Sequence, residues 1–178
     1  VIAFVAGGAR SGKSGVAEAL AREYRAARAG RLVYLATARE SDDEMAHRIV
    51  RHRRERGADW TTLEAPLDLP GALVDVEDGD VVLLDCLTLW ASQALFEAGL
   101  DEAVGRAMLA RLIETARRRD IALVVVSNDI NEDLPPRDPL VWRYLAFLQR
   151  LHRDLAAEAD RVIEVVAGLA IDWKGATP

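Results

Sequence analysis

Residues 7–14 read Gly-Gly-Ala-Arg-Ser-Gly-Lys-Ser, a match to G-x-x-x-x-G-K-[ST], and lie between an apolar run and a helical pattern. Nothing else in the 178-residue chain restricts its fold as strongly. The glycines let successive backbone N–H groups turn inward around a phosphate without side-chain clash. The N-terminus of the following helix adds positive potential at the same point. Such a turn works only where a strand feeds a helix, so it predicts a strand before Gly7 and a helix from Lys13 onward. Lys13 is expected to reach the β- and γ-phosphates of a nucleoside triphosphate, and Ser14 to offer its hydroxyl to Mg²⁺.

The remaining pattern agrees with that constraint. Val1–Ala6, Leu32–Ala36, Val81–Asp85, Ile121–Ser127 and Val162–Val166 are short and almost continuously apolar. Strands of that kind are covered on both faces, as in a parallel sheet between helices. Helical patterns occupy Lys13–Ala27, Asp43–Arg56, Leu100–Arg118 and Leu140–Glu158; Leu109, Leu112, Ile113 and Ala116 form one buried stripe. The alternation predicts an α/β fold, with 1–178 as a single nucleotide-binding domain. Asn128–Pro139, rich in proline and acid, reads as a long loop following a strand, where a ligand site is expected in such a sheet.

Composition narrows the classes. A single cysteine, Cys86, excludes a disulfide framework and a cysteine-based zinc site, and suits a reducing, cytoplasmic setting. Apolar runs reach only five or six residues, so no membrane span is expected, and Val1–Val5 lacks the marks of a signal peptide. The net charge of −6 argues against general nucleic-acid binding. That charge is uneven: residues 47–56, HRIVRHRRER, carry +4 and the rest of the chain −10.

Asp85 ends an apolar strand, where a magnesium-side carboxylate of phosphate-loop proteins sits; the alternative is an acid that caps the next helix. Cys86 reads as a small buried hydrophobe. On the arginine-rich helix, Met45, Ile49 and His52 share a face, with Arg48 and Arg56 one turn to either side of His52. His52 is either a histidine on a solvated basic helix or a nucleophile beside a bound triphosphate. Neighbouring cations keep an imidazole neutral near pH 7 and stabilise charge developing on phosphoryl oxygens. Attack on an α-phosphorus would expel pyrophosphate and leave a nucleotidyl-histidine. His47 and His152 lie away from these motifs and read as structural or surface residues.

Several segments together resemble the bifunctional adenosylcobinamide kinase / adenosylcobinamide-phosphate guanylyltransferases of cobalamin biosynthesis. They are GGARSGKS (7–14), LATA (35–38), DDEMAHRIVRHRRER (42–56), WTTLEAP (60–66), LLDCLTLW (83–90), VSN (126–128) and LAAEADRVIEVVAG (155–168). The resemblance implies a P-loop NTPase with a RecA-like, mostly parallel sheet flanked by helices on both faces. It also implies a homo-oligomer, specifically a homotrimer. The implied reactions are phosphorylation of adenosylcobinamide by ATP or GTP, then transfer of GMP from GTP to adenosylcobinamide phosphate through a guanylyl-histidine. The catalytic residues carried over are His52 and Lys13. The nucleotide contacts are Gly7, Gly8, Ala9, Arg10, Ser11, Gly12, Lys13, Ser14, Ala36, Thr37, Ala38, Arg53, Arg54, Glu55, Arg56, Glu64 and Asp85. Ser14 and Asp85 are the Mg²⁺ positions, and Glu64 faces either a guanine edge or ribose hydroxyls.

The chain departs from the family pattern in its later part. VSNDINEDLPP (126–136) has Asp129 in place of a glutamate and lacks two glycines; Gln93, Trp142, Ala146, Gln149 and His152 replace asparagine, arginine, aspartate, glycine and asparagine. Those changes bear on corrinoid binding and the kinase step. They leave open a paralogue with a changed acceptor, a simple P-loop small-molecule kinase, and a non-catalytic nucleotide-binding module.

Overall fold

The computed structural model describes residues 1–38, 59–130 and 137–175. Residues 43–56, which include His52 and Arg53–Arg56, lie outside them, as do residues 131–136 of the long loop. Strands β1 (Ile2–Gly7), β2 (Leu32–Ala36), β3 (Trp60–Glu64), β4 (Val81–Asp85), β5 (Ala122–Asn128), β6 (Arg161–Val166) and β7 (Leu169–Lys174) form one sheet of order β3-β2-β4-β5-β1-β6-β7. Every neighbouring pair is parallel except β6–β7, an antiparallel hairpin at the edge. Two of the expected strands, Leu32–Ala36 and Val81–Asp85, have the expected bounds and the other three differ by one residue at one or both ends; β3 and β7 add the two edges.

Alternation of side chains across the sheet makes two cores. On one face, Ala3, Val5, Leu83, Val124 and Val126 pack under Ala17, Leu20 and Ala21 of helix α1 (Lys13–Ala26). The other face is thicker. Ile2, Phe4, Leu35, Leu84, Leu123 and Val125 meet helices α2 (Leu69–Ala72), α3 (Leu87–Ser92), α4 (Glu102–Arg118) and α5 (Pro139–Glu158). The expected stripe Leu109, Leu112, Ile113 and Ala116 is buried there. Of the apolar residues on the late helix, Phe147 is in this core, whereas Trp142 stays half exposed. A π-helical turn, Gln93–Glu97, continues α3.

The helix starts differ in a way that bears on function. Asp68, Asp101 and Asp138 each accept a backbone N–H at the starts of α2, α4 and α5. Helices α1 and α3 have no side-chain cap, and α1 begins after Gly12 in the left-handed region (φ 91°). Its first N–H groups are left to whatever sits in the loop before it.

Candidate active site

The phosphate loop projects from the C-terminal end of β1 into α1. Gly7 is packed from two sides: a Cβ there would fall 2.5 Å from the Val165 carbonyl oxygen and 2.6 Å from Ser11 Oγ. Gly7→Ala is therefore expected to weaken nucleotide binding about tenfold, read by titration with a fluorescent nucleotide, because the backbone of β6 cannot yield. The Gly168 N–H, in the β6–β7 turn, donates to the Ser11 carbonyl at 2.8 Å, and the Asp129 N–H donates to the Gly7 carbonyl at 2.9 Å. Both ends of the loop are thus tied to neighbouring strands. Lys13 is buried, and its ammonium donates to the Gly8 carbonyl at 3.0 Å, folded over the loop that it serves. Ser11 Oγ is buried without a partner, while Ala9, Arg10 and Ser14 are exposed.

Asp85 lies two strands away from the loop. Strand β5 separates β4 from β1, and Asp85 is in register with Val126, itself level with Val5. At about 4.8 Å per strand, the tips of β1 and β4 are about 10 Å apart. Asp85 extends the series Val81, Leu83 on the α1 face, and its Oδ2 accepts the Tyr34 hydroxyl at 2.6 Å. It does not cap α3, whose N-cap position is Cys86 with no side-chain bond. Cys86 is half-buried and its Sγ accepts from Asn128 Nδ2 at 3.7 Å, so it is less enclosed than a core hydrophobe. The Ser14 and Asp85 oxygens are hard donors. They suit Mg²⁺, which keeps waters and takes one or two carboxylates with substrate phosphate oxygens. Among the described residues, no cluster of three His, Cys, Asp or Glu offers a closed metal site.

The other expected contacts fall further along the same sheet edge. Ala36 is in register with both Asp85 and Glu64, and Glu64 is exposed at the end of edge strand β3. Four strand spacings, about 19 Å, separate it from the phosphate loop, so Glu64 is not brought to the phosphates. Thr37 is fully buried and braces Asp85: its N–H donates to the Asp85 carbonyl at 3.2 Å, and its hydroxyl accepts the Cys86 N–H at 2.9 Å. Gln93 donates to the Thr37 carbonyl at 3.0 Å, while its own Oε1 is buried and unpartnered.

One reading of the sequence needs correction. His152 is not remote from the motifs: its Nε2 lies 2.7 Å from Ser127 Oγ, within the VSN segment at the tip of β5. Burial pushes the imidazole down to about 4 from its ordinary 6.5, with the charge of Asp129 opposing that shift. Ser127 and His152 are 25 positions apart, so no spacing rule joins them. Only the assignment of one to the end of a buried strand and the other to a facing helix could have suggested the pair.

Comparison with known proteins places this geometry. A family model described as cobinamide kinase / cobinamide phosphate guanyltransferase matches residues 3–173. The bifunctional adenosylcobalamin biosynthesis protein CobP of Pseudomonas aeruginosa is 40% identical over 174 residues, covering 96% of each chain. The corresponding protein CobU of Escherichia coli K12 is 34% identical over 182 residues, covering 96% of this chain and 98% of that one. Among solved structures, a KaiC-like protein from Pyrococcus horikoshii OT3 superposes with TM-score 0.54 at 12% identity, over 92% of this chain and 69% of its own. The flagellar accessory protein FlaH of Methanocaldococcus jannaschii gives 0.51 at 12% identity, over 97% and 77%. Those two likenesses share the fold alone. The near full-length matches, together with a phosphate loop in its strand–helix setting, make this chain a member of the cobinamide kinase / cobinamide phosphate guanyltransferase family.

Proposed function

We propose that this protein phosphorylates adenosylcobinamide with ATP or GTP. It then transfers GMP from GTP to the new phosphate through a guanylyl group carried on His52. The observation that carries the reading is the uncapped start of α1 behind Gly7–Ser14, with Lys13 folded over the loop and Asp85 on the same sheet face. In the first reaction the loop N–H groups hold the β- and γ-phosphates, and Lys13 exchanges its Gly8 carbonyl for phosphate oxygens. Ser14 and Asp85 are the residues that would hold Mg²⁺, which when bound would supply charge neutralisation to the phosphates. The corrinoid's hydroxyl oxygen bonds to the γ-phosphorus as the bridging bond to the nucleoside diphosphate breaks, and the hydroxyl proton leaves to solvent.

In the second reaction an imidazole nitrogen of His52 bonds to the α-phosphorus of GTP, and pyrophosphate leaves. Arg53, Arg54 and Arg56 stabilise the oxygens that gain charge, and Glu55 completes that contact segment. Glu64, on the far edge of the sheet, is suited to the nucleoside end of the nucleotide and not to its phosphates. An oxygen of adenosylcobinamide phosphate then displaces the histidine nitrogen, giving adenosylcobinamide-GDP and restoring neutral His52. The protein acts in the cytoplasm as a homotrimer. Leu169, Ile171 and Trp173 on the exposed edge strand β7, and Leu140 and Trp142 on α5, supply apolar surface for subunit contact. Among the described residues no helix is long and apolar enough to cross a membrane.

Mass analysis of the corrinoid after incubation with ATP, GTP and Mg²⁺ tests the sequence of reactions. The account expects the phosphate ester first and the GDP adduct second, with His52→Ala stopping at the ester. An unmodified corrinoid with intact nucleotide hydrolysis would favour a changed acceptor, and the ester alone in the unmutated protein would favour a simple kinase.

A further inference from the structure

Behind the phosphate loop runs a chain of buried polar groups that the proposed reactions do not use directly. The Asn128 N–H donates to Thr88 Oγ1 at 2.7 Å, Thr88 Oγ1 lies 2.8 Å from Ser127 Oγ, and Ser127 Oγ lies 2.7 Å from His152 Nε2. Ser127 is fully buried and Thr88 nearly so. A one-way arrangement satisfies each group: Thr88 donates to Ser127, and Ser127 donates to an unprotonated Nε2, with the imidazole proton on Nδ1. Tyr144, about two turns before His152 on α5, donates its hydroxyl to the Thr88 carbonyl at 2.9 Å and fixes the same turn. The His152 ring also packs against Phe4 of β1, with ring centroids 5.2 Å apart.

The position of this chain gives it a use. Strand β5 is the spacer between β1, which leads into the phosphate loop, and β4, which ends in Asp85. Ser127 is level with Ala6 and Asn128 with Gly7, and the next residue's N–H holds the Gly7 carbonyl. Thr88 is three residues beyond Asp85, in the first turn of α3. The hydroxyl pair therefore joins the tip of β5 to the turn that carries Asp85, and His152 terminates the pair while touching β1. We infer that His152 is a positioning residue for phosphoryl transfer, acting through Ser127 and Thr88 to set the gap between the phosphate loop and Asp85. The inference rests on the reading of Gly7–Ser14 and Asp85 as the phosphate and metal positions.

With His152 replaced by an apolar side chain, the buried Ser127 hydroxyl loses this acceptor and turns its proton toward Thr88 Oγ1, whose own proton is then left with the long 3.4 Å bond to the Asn128 carbonyl, so the hydroxyl pair is held less firmly. A small shift of the β5 tip moves two groups that must meet on one triphosphate. Misplacement on the scale of 1 Å costs up to about 10²-fold in turnover. The test is the kinase step of the intact protein with ATP, Mg²⁺ and adenosylcobinamide, in His152→Leu, Ser127→Ala, His152→Gln and Lys13→Ala. His152→Leu and Ser127→Ala are each expected to lower kcat about 30-fold, with the KM for ATP within about threefold of the unmutated value. His152→Gln places an amide oxygen where Nε2 was and is expected to recover kcat to within about threefold. Should His152→Leu fail to fold, Ser127→Ala cuts the same link with little change in volume and decides alone. Unchanged kcat in Ser127→Ala and in folded His152→Leu, beside an inactive Lys13→Ala, overturns the inference and spares the site. A loss that His152→Gln does not recover assigns His152 to packing and overturns it too. Turnover retained in Lys13→Ala overturns the site reading and the inference with it.

Discussion

Lys13→Ala is expected to lower phosphoryl-transfer turnover by about 10²–10³-fold, the usual effect of deleting one preorganised charge at a developing oxyanion. The fold should survive. In the structure the Lys13 ammonium bonds to the carbonyl of Gly8 within its own loop, and it makes no ion pair among the described residues. Its removal breaks one local hydrogen bond and leaves the flanking ties, Gly168 to Ser11 and Asp129 to Gly7, in place. The effect therefore belongs in kcat measured with saturating ATP and acceptor, while thermal unfolding stays close to that of the unmutated protein. A kcat within tenfold of the unmutated value would show that the phosphates are held elsewhere.

Acid should destabilise the protein through His152. The folded-state pKa of this group is depressed to about 4 from an unfolded value near 6.5, because burial disfavours the imidazolium. Between those values the unfolded chain binds more protons than the folded one, so stability rises with pH across the window. Its contribution is complete above about 6.5 and is lost as pH falls toward 4, a difference of about 3 kcal/mol. Other groups add acid sensitivity of their own. Asp80, although its burial opposes ionisation, is held below the usual carboxylate range by Arg31 and by the backbone N–H groups of Arg31 and Glu77. Urea unfolding at pH 7 and pH 4.5, compared between the unmutated protein and His152→Gln, isolates the histidine. The unmutated protein should lose about 2–3 kcal/mol more than the variant over that interval. Equal losses would mean that water or a counter-charge reaches the ring.

Much of this arrangement could be read from the sequence, for identifiable reasons. Strands β1, β2, β4 and β5 are buried on both faces, so their apolar runs are continuous and mark themselves. The phosphate loop carries its own punctuation in Gly7, Gly8 and Gly12. Asp85 stands at the strand tip that its apolar run marks, and it does not cap α3. The edges were harder. Strand β3 reads WTTLE and is half exposed, and β7 reads LAIDWK with all six residues exposed, so neither has an apolar run that spans the element. The turn between β6 and β7 depends on positive φ at Ala167 as well as Gly168, and alanine gives no signal of that. Its grip on Ser11 was consequently invisible. The order of strands was the deepest gap. Periodicity does not reveal that β5 lies between β1 and β4, and without that the Ser127–His152 pair has no meaning. Thr37 illustrates the same limit, since its brace on the Asp85–Cys86 peptide leaves no mark in the sequence.

The basic stretch 47–56 stands against an acidic remainder, and its expected partner is a triphosphate anchored at Gly7–Ser14. The most direct test of that pairing is incubation of the protein with GTP labelled at the α-phosphate in the presence of Mg²⁺. The account predicts one protein-bound label that survives alkali, is released by acid as a phosphoramidate should be, and is absent from His52→Ala. No bound label, or a label that persists in His52→Ala, would contradict it.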